Sequence, residues 1–397
     1  MLSAQSRPVV EATLPVIGAN IPEITPLFYK TMFGNHPELL DGMFSRANQK
    51  NGAQPQALAG SIAKFASWLL EHPDSLPEEL LARIAHKHTS LNVREDQYQI
   101  VHDNLFAAIV EVLGDAVTPE VAAAWDEVYW LMADALIKME KGLYAALPED
   151  TGYTVWKVAS VSSDTESVKT FELVPTGSEP VAPGKPGHYV SIRMKTKDGL
   201  LQPRQFSLSC DPASTEHRII TVKRDDAGEI SPVMFETLAE GSTLEVSPPF
   251  GLNALPDDDG RPLVFVTAGI GVTVASGALC ALKHAGDQRD ITVVHADRSE
   301  ATMARKAQVE GAVEALPNAR LELFLREGAG EGHHTEKISL KDLGVAENAH
   351  VFLCGPQPFM QAMRGQAIEL GVNPADIHYD AFGPDLWMAD PGTPAGA

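Results

Sequence analysis

The feature that most constrains this chain is a change of hydrophobic period along its length, from helical, to alternating, to continuous. Up to about residue 147 the apolar residues recur at helical spacing: Leu58, Ile62, Phe65 and Leu69 form one stripe, and Tyr98, Val101, Leu105, Ile109 and Val112 another. From Thr154 to Val246 they alternate in short runs broken by Gly, Pro and Asp, as in Val168 to Val174, Tyr189 to Ile192 and Arg218 to Val222. Beyond residue 262 the runs become continuous at 263–267, 291–295, 321–325 and 351–354, with helical segments between them. No single layer architecture accommodates all three patterns. The expectation is an all-α domain over 1–147, an antiparallel β-barrel over 151–256, and an α/β domain with a parallel sheet over 260–397. Leu147 to Gly152 and Asn253 to Pro262 have linker composition, and the tail from Asp390 is rich in Pro, Gly and Ala.

Helix starts are legible in the first part. Thr25-Pro26 predicts an N-cap opening Leu27 to Phe33, Ser75 with Glu78 a capping box before Leu80, and Thr118-Pro119-Glu120 a long helix through Tyr144. The stretch from Leu80 carries two histidines. At about 100° per residue, His88 falls within about 40° of Leu81 and Ile84, whereas His86 points away with Arg83. One histidine is expected to face a core and the other water. An inward histidine is either a satisfied core residue or a ligand. Met32, Phe33, Met43, Phe44 and Met132 read as core.

A net charge of −22 opposes nucleic acid and anionic membrane surfaces. Cys210, Cys280 and Cys354 lack Cys-x-x-Cys spacing, which argues against a disulfide framework or a cysteine-bound metal and fits a reducing cytoplasm. No leader pattern or membrane-length apolar run is visible. A monomer is compatible with the sequence, which does not fix the oligomeric state.

Thr267-Ala-Gly269-Ile-Gly271-Val-Thr273 follows an apolar strand and opens a helix. Its glycines let backbone approach a pyrophosphate at a helix N-terminus, although the third glycine of the full fingerprint is absent and a tight turn reads equally well. Arg204-Gln205-Phe206-Ser207 sets a cation and a hydroxyl on an alternating segment, and Gly228-Glu-Ile-Ser231 stands at the start of an expected helix. Alone, these are an ordinary strand and a capped turn.

Taken in order, Arg-x-x-Ser, Gly-x-x-Ser, Gly-x-Gly-x-Thr, Cys354-Gly355-Pro356 and a late aromatic at Phe382 resemble the ferredoxin-NADP reductase family over about 151–386. With Phe28-Tyr29, Lys87-His88-Thr89-Ser90 and Gln97-Tyr98 ahead of them, the whole chain resembles a flavohaemoglobin, a nitric oxide dioxygenase. The resemblance implies haem b, FAD and NAD(P)H as cofactors, NADH being the more usual donor, with O2 and NO as substrates and lipid contact conceivable. It implies His88 as the iron ligand, with Tyr98 and Glu140 behind it, and Tyr29, Phe44, Gln54, Leu58 and Lys87 around the haem. It assigns Tyr189, Arg204, Gln205, Phe206, Ser207, Gly228, Ser231 and Phe382 to FAD, and Gly269, Gly271, Thr273, Cys354, Gly355 and Pro356 to NAD(P)H.

Departures cluster at the flavin and nicotinamide: Phe206 stands for the usual tyrosine, Val274 for proline, and Asp380 and Ala381 for glutamate and cysteine. Arg298 and Ser299 leave a 2′-phosphate, and so NADPH, open. Peroxide reduction at the haem, or sensing of O2 or NO, are the alternative functions such a chain could serve.

Overall fold

The computed structural model describes residues 1–46, 52–148, 152–328 and 333–382. The three periodicities become three architectures. The N-terminal part is helical: α1 (Ser6–Asn35), α2 (Ala53–Glu71), α3 (Glu78–Ser90), α4 (Gln97–Leu113) and α5 (Pro119–Ala145). Its core holds Phe28, Met32, Phe65, Leu69, Leu81 and Val128, all essentially inaccessible to solvent.

Two predicted helix starts are corrected. Thr25-Pro26 opens no helix, because α1 runs through it and through Pro15 and Pro22 as well. The Thr25 hydroxyl donates backward to Ile21 O at 2.9 Å, as a helix-interior threonine does. Each internal proline removes one helical hydrogen bond, yet burial of Ile17, Ile24, Phe28 and Tyr29 along the same helix outweighs that local loss. The Ser75–Glu78 capping box does not form either. Pro77 holds the N-cap position of α3, and Ser75 Oγ accepts from Trp68 Nε1 at 3.2 Å. At α5 the expected cap is present, with Thr118 Oγ1 accepting from Val121 N.

The middle of the chain closes into an antiparallel barrel with strand order β1-β2-β5-β4-β3-β6. Its strands are β1 (Thr154–Thr165), β2 (Val168–Pro175), β3 (Tyr189–Lys195), β4 (Leu201–Cys210), β5 (Arg218–Lys223) and β6 (Thr243–Val246), with the short helix α6 (Ser231–Thr237) before β6. Alternation sends Phe171, Leu173, Val190, Ile192, Ile220 and Val222 into one apolar interior.

The last part is a parallel five-stranded sheet of order β11-β10-β7-β8-β9. Strands β7 (Leu263–Ala268), β8 (Ile291–Asp297), β9 (Ala319–Leu325), β10 (His350–Cys354) and β11 (Ile377–Asp380) are linked through α7 (Val272–Ala285), α8 (Lys306–Ala315) and α9 (Gln357–Glu369). Order reverses between β7 and β10. That is where an open α/β sheet leaves a crevice at its strand ends. Among the described residues no helix is long and apolar enough to cross a membrane.

Candidate haem and flavin site

A single cavity of about 690 Å³ extends from between the N-terminal helices, past the end of α3, to the outer edge of β4 and the C-terminal end of the sheet. His88 lines it. Two hydrogen bonds fix the ring from behind: Nδ1 lies 2.8 Å from Glu140 Oε1 and 3.0 Å from Tyr98 Oη. Tyr98 donates its hydroxyl to the same carboxylate oxygen at 2.6 Å, and its backbone O accepts from Tyr129 Oη at 2.6 Å. Glu140 is only 3% exposed, so the carboxylate is tied up inside the protein rather than solvated. Burial and the Glu140 charge push the Tyr98 phenol well above its ordinary value, which keeps it a donor. With Nδ1 occupied, Nε2 is the imidazole nitrogen left for a metal, and the donor set fits an iron ligand.

Between the N-terminal helices the cavity wall is largely apolar and aromatic. Tyr29, Phe44 and Leu58 line it, and Met43 and Met132 both line the cavity and pack against the helical core, as expected of core methionines. Tyr29 is 6% exposed and packs on Phe28, Phe33 and Phe44 at centroid distances of 4.6, 5.6 and 6.2 Å. Gln54 belongs to α2, but its side chain lies outside the described residues.

Lys87 and His86 line the cavity between its two ends. The expectation that His86 and Arg83 face water is corrected. His86 Nδ1 accepts from Gly251 N at 3.1 Å, and burial lowers its pKa. Arg83 sits 4.2 Å over the Tyr379 ring and donates to Tyr379 O. The polar face of α3 is covered by the two following domains, which helical periodicity cannot anticipate. Further contacts fasten this junction: Gln205 Nε2 donates to Ser191 Oγ, which donates to Ser90 Oγ at 2.9 Å, two residues beyond His88. Arg46 pairs with Asp198 and Glu229 at 2.6 and 2.9 Å.

At the barrel end, Tyr189, Arg204, Gln205, Phe206, Ser207, Gly228, Ser231 and Phe382 all line the cavity. The β3–β4 register sets Tyr189 opposite Ser207 and Ser191 opposite Gln205. Burial pulls the Arg204 guanidinium below its usual range while Glu229 opposes the shift, the environment of a cation suited to an anionic partner. Ser231 Oγ accepts from Asp225 N at 2.9 Å and holds the turn that carries Gly228. Phe382 is 53% exposed at the cavity mouth.

At the sheet crevice, Gly269 has φ +53°, and a Cβ on Gly271 would lie 2.3 Å from Cys354 O, so the turn after β7 packs on the end of β10 only because Gly271 is glycine. Gly355 abuts Ala268 and Phe359, and Pro356 caps α9. Thr273 lines the cavity, its hydroxyl donating to Ile270 O at 3.0 Å. The Cys354 thiol faces inward, 1% exposed, so only backbone is offered at that position. Arg298 follows β8, and its N–H donates to Asp297 Oδ1. Sequence reasoning missed Asn253, read there as linker. It is 7% exposed and donates to Tyr379 O and Asp380 Oδ1, both at 2.6 Å, and no local pattern marks it.

Known proteins match this chain over nearly its whole length. Residues 27–136 match the Globin family model and 265–365 the Oxidoreductase NAD-binding domain model. A flavohaemoprotein of Bordetella pertussis is 38% identical over 96% of this chain and 99% of its own length. One of Rhizobium meliloti is 35% identical over 98% and 100%. The crystal structure of a Malassezia yamatoensis flavohaemoglobin, with FAD and haem bound, superimposes with a TM-score of 0.92 at 41% identity, covering 96% of this chain and all of that one. The FAD/NAD-binding domain of a Vibrio cholerae nitric oxide dioxygenase aligns over 59% of this chain with a TM-score of 0.56 at 25% identity. The chain that carries this histidine, its buried carboxylate and the shared cavity is matched along nearly the whole length of these relatives, and it belongs to the flavohaemoglobin family of haem-, FAD- and NAD(P)H-dependent oxidoreductases.

Proposed function

We propose that this chain is a nitric oxide dioxygenase that converts NO and O2 to nitrate with electrons from NAD(P)H. The observation that carries the reading is the Glu140 carboxylate, which accepts from both Tyr98 and His88 behind the cavity. When bound, haem supplies the iron at which the two gases combine, and FAD passes electrons singly to it from the two-electron donor NAD(P)H. Glu140 accepts the His88 Nδ1 proton in a hydrogen bond and so makes Nε2 a stronger electron donor, which favours chemistry over reversible oxygen storage. On the apolar wall the Tyr29 hydroxyl serves as donor to the oxygen substrate, while Phe28, Phe33, Phe44 and Leu58 exclude water.

In the reductase half, Arg204 holds the flavin pyrophosphate, Ser207, Gln205, Phe206 and Tyr189 border the ring, and Gly228 with Ser231 frames a phosphate. Phe382 shields the ring face and moves aside for the nicotinamide. Gly269, Gly271, Thr273 and the 354–356 backbone receive the dinucleotide across the β7–β10 crevice. Fusion keeps electron donor and acceptor at high effective concentration.

Nitrate formed per NAD(P)H consumed, with NO and O2 both present, tests the assignment. Nitrate in proportion to NAD(P)H is expected. NAD(P)H oxidation that starts only when a peroxide is added would overturn it in favour of peroxide reduction. His88→Ala should lose the haem band and keep flavin absorbance, and an unaltered haem spectrum would remove His88 from the iron.

A further inference from the structure

Two of the three cysteines meet at the junction between barrel and sheet. Cys210 ends β4 at a bulge, where the register against β5 shifts, and Asp211 after it adopts φ +40°. That turn aims the Asp211 N–H at Cys280 Sγ on α7, 3.2 Å away. Cys210 directly precedes Asp211, which brings its thiol beside the same sulfur. Close packing keeps the two elements in place: Ser276 Oγ donates to Ser209 O at 2.7 Å, and a Cβ on Gly277 would lie 2.1 Å from Leu208 O.

The two thiols are inequivalent. The neighbouring Cys210 thiol, the Asp211 N–H and His284 one turn along α7 draw the Cys280 pKa down, against burial and the Asp211 carboxylate. Cys210, beside that sulfur and half-buried, is held above its usual value. Cys354 differs from both. It is fully buried, raised by burial, and its Sγ donates to the Asp380 carbonyl at 3.5 Å. Neither Cys210 nor Cys280 lines the haem–flavin cavity, so the pair is unused by the function described above.

We propose that Cys210 and Cys280 are a redox-active thiol pair that closes, by exchange with a small-molecule disulfide, into a disulfide tying barrel to sheet and slowing the reductase half. Cys280 thiolate attacks one sulfur of the external disulfide, breaking its S–S bond and expelling one thiolate. Cys210 then loses its proton to solvent and attacks Cys280 Sγ, which forms the internal S–S bond and expels the second thiolate. Two protein thiols are oxidised and one external disulfide is reduced to two thiols. The link joins α7, which follows the Gly269–Gly271 turn, to the strand that carries Arg204 and Ser207. In the reading above Phe382 leaves the flavin face as nicotinamide docks, and a covalent tie between α7 and β4 stiffens the two elements that border that site. The proposal rests on the reductase reading of the two C-terminal domains and not on the fate of NO.

The test equilibrates the holoenzyme in graded ratios of reduced and oxidised glutathione. Each sample is digested without reductant for mass spectrometry and followed anaerobically for flavin reduction by NADH, with no NO present. A Cys210–Cys280 linked peptide is expected, with Cys354 unmodified and a several-fold loss of flavin reduction rate that dithiothreitol restores. In Cys210→Ser, glutathione should remain on Cys280, and in Cys280→Ser, Cys210 should stay free. Absence of the linked peptide, glutathione on Cys210 in preference to Cys280, or an unchanged rate in fully linked protein would each overturn the proposal.

Discussion

Replacing Glu140 by Gln isolates the charge behind His88 while keeping side-chain length and shape. The carboxylate is 3% exposed and receives two short bonds, from His88 Nδ1 at 2.8 Å and Tyr98 Oη at 2.6 Å. Hydrogen bonds to a charged group contribute about 1.5–3 kcal/mol and neutral ones about 0.5–1.5 kcal/mol. Neutralising the acceptor therefore costs about 1 kcal/mol per bond, or about 2 kcal/mol for the pair. At about 1.4 kcal/mol per decade this is close to a thirtyfold loss of haem affinity. The range of about 10–100-fold observed when partners of metal-bound histidines are removed brackets the same figure. The assay is haem titration into the apoprotein, together with the iron–histidine stretching frequency from resonance Raman. That frequency should fall, because Nε2 becomes a weaker donor. Flavin reduction by NADH should be unaltered, which separates the effect from general unfolding. An unchanged stretching frequency with affinity within about twofold of the parent would refute the role given to Glu140.

Two other substitutions test different parts of the frame. Gly277→Ala drives a Cβ to 2.1 Å from Leu208 O at the barrel–sheet junction and should cost about 1–3 kcal/mol, read as a lower Tm of the full chain, whereas an unchanged Tm would show the junction to be loose. Asp380 is pushed up from 3.8 to about 6, chiefly by burial, with the Asn253 hydrogen bond and Arg83 opposing. A raised folded-state pKa means that its stabilisation is present below about 3.8 and lost as pH rises through about 6. Asp380→Asn should accordingly be more stable than the parent at neutral pH, by a margin that shrinks as pH falls through that window. Urea midpoints across pH check this, and a constant margin would contradict it.

Much of the fold was legible in the chain because each architecture leaves its own hydrophobic period. The strands near 263–267, 291–295, 321–325 and 351–354 all appear as β7 to β10, since a sheet covered on both faces needs uninterrupted apolar runs. Local capping rules were weaker. They succeeded at Thr118, where nothing competes, and failed at Thr25 and Ser75, where burial along α1 and a bond from Trp68 prevail. The site was half legible. Helical spacing turned His88 inward, and motif order carried the resemblance, yet Tyr98 and Glu140 stand 10 and 52 residues from His88 and meet it only through helix packing.

By itself, the sequence determined which residue types alternate, which run on and which side of α3 is apolar, because those depend on neighbours a few positions away. Tertiary structure alone decided what covers the other side. Arg83 and His86, polar and outward by periodicity, are half-covered by Tyr379 and Gly251, 296 and 165 residues further along the chain, and Asn253 leaves its linker-like surroundings to hold Tyr379 and Asp380. The Cys210–Cys280 pair has the same origin: 69 residues separate Asp211 from Cys280 along the chain, and only the packing of α7 on β4 brings the thiols together. Periodicity records the face a residue turns toward its own element's core, whereas contacts between domains depend on surfaces that no local pattern encodes.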